Sequence, residues 1–319
     1  MEGRVLVSGG AGFIGSHLID ALVNLGFEVS ALDDLSSGSI ENICRHVESG
    51  RVRFIKGDVK DGQALREALS GCYAVFHLAA VTSVPFSFER PDITFDVNVE
   101  GTKRILEESL RAGVERFIYV SSCAVYGEPI YLPIDEKHPT KPTSPYAESK
   151  LKGEELCMRF SRENGLKATI LRLFNVYGPR MRGGQYSGVI MSFIERLTCG
   201  KPPVIYGDGF QSRDFVHVFD VVDAAMLVFK SDKVVNEIFN VGSGSATTIN
   251  DLVSMIMDVL GVSMVKPIYM PARRGDVKHS CADIRKIATL LGYKPKIQLR
   301  EGLFSLLQHM KPKCVGGIS

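Results

Sequence analysis

Short apolar runs alternate with amphipathic runs along the first half of the chain. The apolar runs predict strands, which cover Arg4–Ser8, Glu28–Leu32, Val52–Lys56, Ala74–Leu78, Arg116–Ser121 and Ala168–Phe174. The runs with apolar residues at helical spacing predict helices, which include Ile14–Leu25, Gly62–Leu69, Val97–Ala112 and Pro145–Asn164. Gly26, Gly113 and Gly165 follow three of these helices and predict where they end. Because apolar strands that alternate with helices are typical of a parallel sheet covered on both faces, the pattern predicts a doubly wound α/β fold.

The pattern changes after Gly178-Pro179. The second half predicts one helix near 188–198, a helix at Val216–Phe229, a strand at Glu237–Val241 that rejoins the sheet, and helices at 249–260, 284–291 and 301–310. We therefore predict two interleaved units. Residues 1–178, with 214–243 returning, form the nucleotide-binding domain, and residues 179–213 and 244–319 form a smaller C-terminal α/β lobe that binds the substrate.

The composition is that of an ordinary soluble globular protein. The 319 residues are 45% hydrophobic and 23% charged, and the formal net charge is +2. A charge so close to zero gives no field that draws the chain to nucleic acid or to a membrane surface. No apolar run approaches the length of a membrane helix, and the first strand begins too early to leave room for a signal peptide. We therefore expect a cytoplasmic protein.

The cysteines and histidines predict neither disulfides nor a metal site. The seven cysteines are scattered and odd in number, and none forms a Cys-x-x-Cys pair. His17, His77 and His217 lie in apolar runs, which favours hydrogen-bonded core histidines over metal ligands. We expect reduced thiols and no bound metal.

A glycine-rich turn follows the first predicted strand and opens the first predicted helix. It contains Gly9-x-x-Gly12-x-x-Gly15, and Asp33 lies 18 residues after Gly15 at the end of the second strand. Glycines here allow the backbone to approach a pyrophosphate at a helix N-terminus, and a carboxylate at the next strand end accepts hydrogen bonds from a ribose. Because Asp33 would repel a 2′-phosphate, NAD is favoured over NADP. Asp58 follows the third strand and is placed to reach the adenine; a plain turn is the alternative for each of these features.

Tyr146 and Lys150 lie one helical turn apart in the run that begins at Ser144-Pro145. Ser144 is suited to cap this helix and Pro145 to begin it. A neighbouring ammonium and the positive helix end would both lower the pKa of Tyr146, which predicts a general base for an alcohol. Ser122 follows the fifth predicted strand, where it can hydrogen-bond the same hydroxyl. Chance spacing of Tyr and Lys, and a serine that caps a turn, are the alternatives.

Ten segments of the chain together resemble the extended short-chain dehydrogenases/reductases, in the nucleotide-sugar epimerase/dehydratase group. They are Gly9-x-x-Gly12-x-x-Gly15, Asp33, Gly57-Asp58, His77-Leu-Ala-Ala80, Asn98-Val-Glu-Gly-Thr102, Ser121-Ser122 through Val-Tyr-Gly127, Tyr146-x-x-x-Lys150, Arg172-Leu-Phe-Asn-Val-Tyr-Gly-Pro179, Arg213-Asp-Phe-Val-His217 and Arg273-Arg-Gly-Asp276. They occur in the family's order from residue 9 to about residue 295. The resemblance implies a Rossmann-type domain with tightly bound NAD, and a catalytic trio of Ser122, Tyr146 and Lys150.

The resemblance also implies two sets of binding residues. For the cofactor we expect Gly9, Gly12, Phe13, Ile14, Gly15, Asp33, Asp58, Val59, Leu78, Ala79, Ala80, Asn98, Tyr146 and Lys150. For a UDP-sugar we expect Thr82, Ser122, Asn175, Tyr206, Arg213, Arg273, Asp276 and Ser280. The chemistry agrees with the second set because arginines suit phosphates, although a solvated surface charge is the alternative for each arginine.

The two residues after Ser122 narrow the expected reaction. By resemblance, 4,6-dehydratases carry Asp-Glu at these positions, and decarboxylating members carry Glu at the second. This chain has Cys123 and Ala124, which supply no carboxylate. Reversible oxidation at carbon 4 of the sugar remains, in which Tyr146 removes the hydroxyl proton, NAD takes the hydride, and the 4-keto sugar turns before the hydride returns. We therefore expect a UDP-hexose 4-epimerase.

The sugar is predicted less directly. Ser280 matches a position where a bulky tyrosine in the family excludes an N-acetyl group, so a serine predicts UDP-N-acetylglucosamine as a substrate beside UDP-glucose and UDP-galactose. A pocket closed by other residues is the alternative. A UDP-glucuronate 4-epimerase and a non-catalytic dinucleotide-binding relative also stay open. The resemblance further implies a homodimer that pairs the helices at 97–112 and 145–164.

Overall fold

A parallel sheet forms the centre of the molecule. The computed structural model describes residues 3–184, 188–263 and 265–310. Within them, seven parallel strands lie in the order β10-β6-β5-β4-β1-β2-β3. Their bounds are β1 Arg4–Ser8, β2 Glu28–Asp33, β3 Val52–Lys56, β4 Cys72–His77, β5 Arg116–Ser122, β6 Lys167–Leu173 and β10 Ile238–Val241. The predicted doubly wound α/β fold is confirmed, and so is the return of the strand near residue 240 to the sheet, where it pairs with β6.

Helices cover both faces of this sheet. The helices of the first two-thirds are α1 Phe13–Asn24, α2 Cys44–Glu48, α3 Gly62–Leu69, α4 Val84–Glu89, α5 Pro91–Phe95, α6 Thr102–Arg111, α7 Pro145–Asn164, α8 Val189–Thr198 and α9 Val218–Lys230. Apolar side chains of α1 and α9 pack on one face, and those of α3, α6 and α7 pack on the other. The strand ends that carry Asp33 and Ser122 are therefore fixed at one edge between two buried layers.

A second core lies beyond the sheet. After β10, the described residues form three further helices, namely α10 Ile249–Leu260, α11 Arg285–Leu291 and α12 Leu299–His309. Apolar residues of α8, α10 and α12 form this core with Tyr177 and Phe215. Short strands border it: β7 Asn175–Tyr177, β9 Ser212–His217 and β11 Ala246–Thr248 form one sheet, and β8 Val204–Tyr206 pairs with β12 Ile268–Met270. The proposed division into two interleaved domains remains a prediction.

Two predicted helices begin differently from the sequence pattern. The run Val216–Phe229 was expected to be helical throughout, but Val216 and His217 belong to β9, and α9 begins at Val218. The reason is a cap, since the Phe219 N–H donates to His217 Nδ1. The predicted helix Val97–Ala112 contains a π-helical turn at Asp96–Gly101 before α6 begins. Across the described residues, every helix is too short or too polar to cross a bilayer.

Candidate active site

The glycine turn brings three backbone segments into contact. Gly9 has a φ of +71°, and a Cβ on it would lie 2.8 Å from the Ala79 N. A Cβ on Gly15 would overlap the carbonyl oxygen of Gly9. Because only glycine fits at both positions, the turn stays narrow, and the free N–H groups of α1, where Phe13 and Ile14 begin the helix, face the strand ends. This cradle fits the pyrophosphate of a dinucleotide.

Asp33 lies against this turn at the end of β2. Its side chain is 7% exposed, and its carboxylate accepts hydrogen bonds from Ala11 N at 3.0 Å and Leu35 N at 2.8 Å. Burial raises the pKa of Asp33, and the two N–H donors oppose that rise. The position beside the turn is the one that the sequence predicts for a ribose ligand.

Asp58 and Val59 follow β3 and have different surroundings. Asp58 is partly exposed, accepts a hydrogen bond from Lys60 N at 2.8 Å, and lies 3.6 Å from Lys60 Nζ. Val59 is buried against Gly101, where a Cβ would lie 2.7 Å from Val59 Cγ2. The structure thus uses Asp58 in a turn, and its contact with an adenine stays a prediction.

The loop after β4, which carries Leu78, Ala79, Ala80 and Thr82, is held in place by Asn98. The Asn98 amide accepts from Val81 N at 2.7 Å and donates to Val81 O at 2.9 Å. It also donates to Ser149 Oγ at 2.9 Å, and Ser149 in turn donates to the carbonyl oxygen of Tyr146. Because Asn98 is buried and its amide is engaged in this way, it connects the loop after β4 to α7, which sequence reasoning did not foresee.

The predicted trio lies at the start of α7 and the end of β5. Ser144 caps α7 by accepting from Ala147 N at 3.2 Å, and Pro145 is the first helical residue, as predicted. The Lys150 side chain is buried, with Nζ 4.4 Å above the ring of Tyr119. Ser122 Oγ accepts a hydrogen bond from Ala124 N at 3.2 Å. The Ser122 side chain also lies within hydrogen-bonding reach of the Tyr146 phenol and lowers its pKa. The structure therefore brings Ser122 and Tyr146 together.

The expected direction of the Tyr146 pKa shift is wrong for the protein chain alone. Burial raises the pKa of Tyr146 to about 12, although the Ser122 interaction opposes it. Burial also lowers the pKa of Lys150 to about 8. The cause is desolvation, which disfavours both charged forms and outweighs helix position and residue spacing.

The predicted substrate residues Arg213, Arg273 and Asn175 lie in three different segments of the chain. Arg213 lies on β9 and donates a hydrogen bond to Ser212 O at 2.8 Å. Burial raises the pKa of Asp276, and the Arg213 charge opposes that rise. The Arg273 guanidinium stacks 3.7 Å from the ring of Tyr206. Asn175 begins β7 and is half-buried. The Arg273 guanidinium stacked on Tyr206 has the chemistry that a nucleoside diphosphate needs.

Ser280 contacts Cys123. Ser280 is 3% exposed, and its hydroxyl is a hydrogen-bonding neighbour of the Cys123 thiol. Burial raises the pKa of Cys123 to about 11, so the thiol is neutral near pH 7. Cys123 also lies close enough to Tyr146 to raise its pKa, so Cys123 is a neighbour of both Ser280 and Tyr146.

Two residues of the site were missed from the sequence. The Lys150 ammonium lies over the ring of Tyr119. The inward position of Tyr119 in the predicted fifth strand was the sequence signal that could have indicated this contact. Asp214 is fully buried between β9 and the segment around Ala282, and it lies within the quoted Arg213–His217 motif. Among the described residues, no group of His, Cys, Asp and Glu is arranged to hold a metal ion.

Comparison with known proteins gives consistent matches over nearly the whole chain. The model of the NAD dependent epimerase/dehydratase family matches residues 5–242. A UDP-glucose 4-epimerase of Mycolicibacterium smegmatis is 37% identical over 317 residues, which cover 97% of this chain and 99% of that protein.

Two solved structures are similar over the same extent. A UDP-glucose 4-epimerase with UDP-glucose from Thermotoga maritima has 39% identity and a TM-score of 0.90, covering 96% of this chain and 98% of that one. A UDP-N-acetylglucosamine 4-epimerase from Methanobrevibacter ruminantium, in complex with UDP-N-acetylmuramic acid, has 38% identity and a TM-score of 0.90, covering 97% and 98%.

Proposed function

The chain belongs to the NAD-dependent epimerase/dehydratase family, and from that premise we propose that it inverts carbon 4 of UDP-hexoses through a 4-keto intermediate. NAD is the family's cofactor, and the glycine turn with Asp33 fits it. One observation carries the proposal: Tyr146 and Lys150 are present, whereas Cys123 and Ala124 follow Ser122 in place of carboxylates. This centre retains the groups for oxidation and reduction but lacks those for removing water or carbon dioxide.

The proposed chemistry assigns each residue of the trio one task. NAD, when bound, supplies the hydride acceptor and then the hydride donor for carbon 4. Tyr146 takes the proton of the 4-hydroxyl and later returns it, and Ser122 orients that hydroxyl. Because burial alone raises the pKa of Tyr146 to about 12, the base needs positive charge near it. Lys150 supplies an ammonium from the next turn of α7.

The neighbours of Tyr146 support epimerisation over elimination. Ser122 and Cys123 both lie beside the Tyr146 phenol, where Ser122 lowers its pKa and Cys123 raises it. The Cys123 thiol, with its pKa raised to about 11, is a poor base near pH 7, and Ala124 has no titratable group. A dehydratase or decarboxylase requires a proton acceptor beside the sugar that these positions do not supply.

We further propose that acetylated and non-acetylated UDP-hexoses are both substrates. Ser280 is the small residue that faces Cys123 at the predicted gate, which leaves volume for an N-acetyl group. A glucuronate carboxylate would need a free cation near the sugar. Arg213, the cation that acts on Cys123, is itself balanced by Asp276 and Glu128, which favours neutral sugars.

A substrate panel tests this function. Purified protein is incubated separately with UDP-glucose, UDP-galactose, the two UDP-N-acetylhexosamines and UDP-glucuronate, and the products are separated and identified. We expect interconversion at carbon 4 of the first four. A 4-keto-6-deoxy sugar or release of carbon dioxide would identify a different reaction and contradict the proposal. Tyr146→Phe should abolish turnover and retain NAD, whereas turnover equal to the unsubstituted protein would refute the assigned base and favour a different centre.

The homodimer is also part of the proposal. The helices α6 and α7 carry exposed residues on their outer faces, which suits pairing with a second copy. Light scattering after size-exclusion chromatography should give twice the chain's 35.0 kDa, and a monomeric mass would contradict this. The expected cytoplasmic location stays a prediction.

A further inference from the structure

A buried carboxylate fastens the catalytic helix to two strands of the sheet. Glu154 is 3% exposed and lies one turn after Lys150 on α7. Its carboxylate accepts hydrogen bonds from Arg172 of β6, one from Nε at 2.9 Å and one from Nη2 at 2.6 Å. It also receives Ser121 Oγ of β5 at 2.5 Å. Three elements therefore meet at one carboxylate. Its partner Ser121 precedes Ser122 on β5, and Glu154 itself lies one turn after Lys150 on α7.

This ion pair is a poor device for stability alone. Both side chains are almost fully buried, and desolvation of two charges commonly offsets the attraction between them. Arg172 Nη1 is in addition buried with no hydrogen-bond partner, which carries a further cost. Its guanidinium lies 4.7 Å from the ring of Tyr126, so the charge is enclosed by protein. A buried ion pair that adds little stability, next to the proposed catalytic residues, suggests that the Glu154–Arg172 pair serves those residues.

The charges around Lys150 show what that role is. From β5, Tyr119 presents its ring, and burial keeps its phenol neutral by raising its pKa. From β4, His77 is neutral because burial lowers its pKa to about 3. On α7 itself, the Cys157 thiol is neutral because its pKa is raised by burial. Tyr146 is the remaining titratable neighbour on α7. Glu154, one turn after Lys150 on α7 and ion-paired with Arg172, is the carboxylate whose charge acts on the Lys150 ammonium.

We propose that Glu154 is a positioning residue for Lys150, which holds α7 on β5 and β6 and keeps the Lys150 side chain charged and in place. The inference rests on the proposed roles of Tyr146 and Lys150 in catalysis. Burial lowers the pKa of Lys150 to about 8, and the Glu154 charge opposes that shift. The ammonium is therefore present below this pH and lost above it. Without the Glu154 charge, the loss moves to lower pH.

Two variants and one control test the proposal. Glu154→Gln keeps the size and the acceptor for Ser121 but removes the charge. Glu154→Gln with Arg172→Met removes both buried charges and protects against misfolding of the single variant. Glu148→Gln is the matched control, since Glu148 lies on the same helix in an exposed pair with Lys152. For each protein, kcat and KM are measured against pH, and bound NAD and the unfolding temperature are recorded.

We expect the alkaline limb of kcat to move down by about one pH unit in Glu154→Gln, the size of effect that a unit charge exerts across one helical turn. The shift should be smaller in the double variant and absent in Glu148→Gln. KM should change less than about twofold, because the substitutions should leave binding of the substrate in its ground state nearly unaltered. An unmoved alkaline limb in a folded Glu154→Gln protein overturns the proposal. Failure of both variants to fold also overturns it, because the pair would then serve stability alone.

A second measurement separates this inference from the proposed function. Competitive labelling with acetic anhydride across pH, read by mass spectrometry of the peptide that contains Lys150, gives the pKa of Lys150 without any sugar. A lower Lys150 pKa in Glu154→Gln supports the inference even if no sugar in the panel is turned over. An unchanged pKa refutes it even if the unsubstituted protein is an active epimerase.

Discussion

Ser280 is the residue whose size, in our proposal, admits an acetylated sugar. It is buried against Cys123, which in turn lies beside Tyr146, so a larger side chain at this position would press on the centre of the site. We predict that Ser280→Tyr lowers kcat/KM for UDP-N-acetylgalactosamine at least about tenfold, because overpacking costs about 1–3 kcal/mol. The value for UDP-galactose should change little. Parallel kinetics with both sugars give the ratio that decides this.

Ser280→Ala is the matched control for that ratio, because it removes the hydroxyl without adding volume. Its ratio of the two kcat/KM values should equal that of the unsubstituted protein. Equal losses for both sugars in Ser280→Tyr would show a general collapse of the pocket. Undiminished turnover of the acetylated sugar would show that the gate lies at another residue.

Individual residues also mark the limit of what the sequence predicts. The helical spacing of Tyr146 and Lys150 was predictable because it depends on neighbours in the chain. The pKa of Tyr146 was not, because it depends on burial by β5 and the segment around Cys123, which only tertiary structure brings together. Asn98 is similar: its motif was recognised, but its bonds to Val81 and Ser149 belong to the folded loop.

At the level of elements, the turn between β1 and α1 has little room for substitution. A Cβ on Gly15 would overlap the Gly9 carbonyl oxygen, which is backbone and has no freedom to move aside. We predict that Gly15→Ala displaces the turn, destabilises the protein by about 1–3 kcal/mol, and abolishes retention of NAD. Release of nucleotide from purified protein and a urea titration measure the two effects.

Gly62→Ala is the corresponding control at another helix start. The nearest atom to a Cβ on Gly62 is the end of the flexible Arg66 side chain at 3.2 Å, so the substitution should be tolerated. Full NAD content in Gly15→Ala would show that the turn is not the cofactor cradle. A loss in Gly62→Ala as large as in Gly15→Ala would show a general sensitivity to alanine.

The elements also show why short segments escape prediction. The long strands and helices were located within a few residues because their apolar period repeats several times, as in Gly62–Leu69 and Pro145–Asn164. β7 and β8 contain three residues each, which is too few for a period to emerge. The boundary between β9 and α9 depended on the His217 cap, since Val216 and Val218 are equally apolar.

In the whole molecule, Asp214 connects the sheet region to the segment that carries the predicted gate. It is fully buried on β9, and its carboxylate accepts from Ser243 N and Oγ, from Gly244 N and from Ala282 N. One carboxylate thus ties β9, the loop after β10 and the segment of Ser280 together. Burial raises the pKa of Asp214, and these donors oppose that rise.

We predict that Asp214→Asn lowers the free energy of unfolding by about 2–4 kcal/mol, because an amide nitrogen would face backbone donors that then lack an acceptor. The KM for UDP-sugars should rise as the Ser280 segment loses its anchor. Urea titration and steady-state kinetics measure these effects. Asp223→Asn is the control, since Asp223 forms an exposed pair with Lys296, and exposed ion pairs contribute little to stability. If both variants lose the same small free energy, Asp214 is an ordinary loop contact, and the gate segment is held by other bonds, such as those of Ile134 to Cys281 and Asp283.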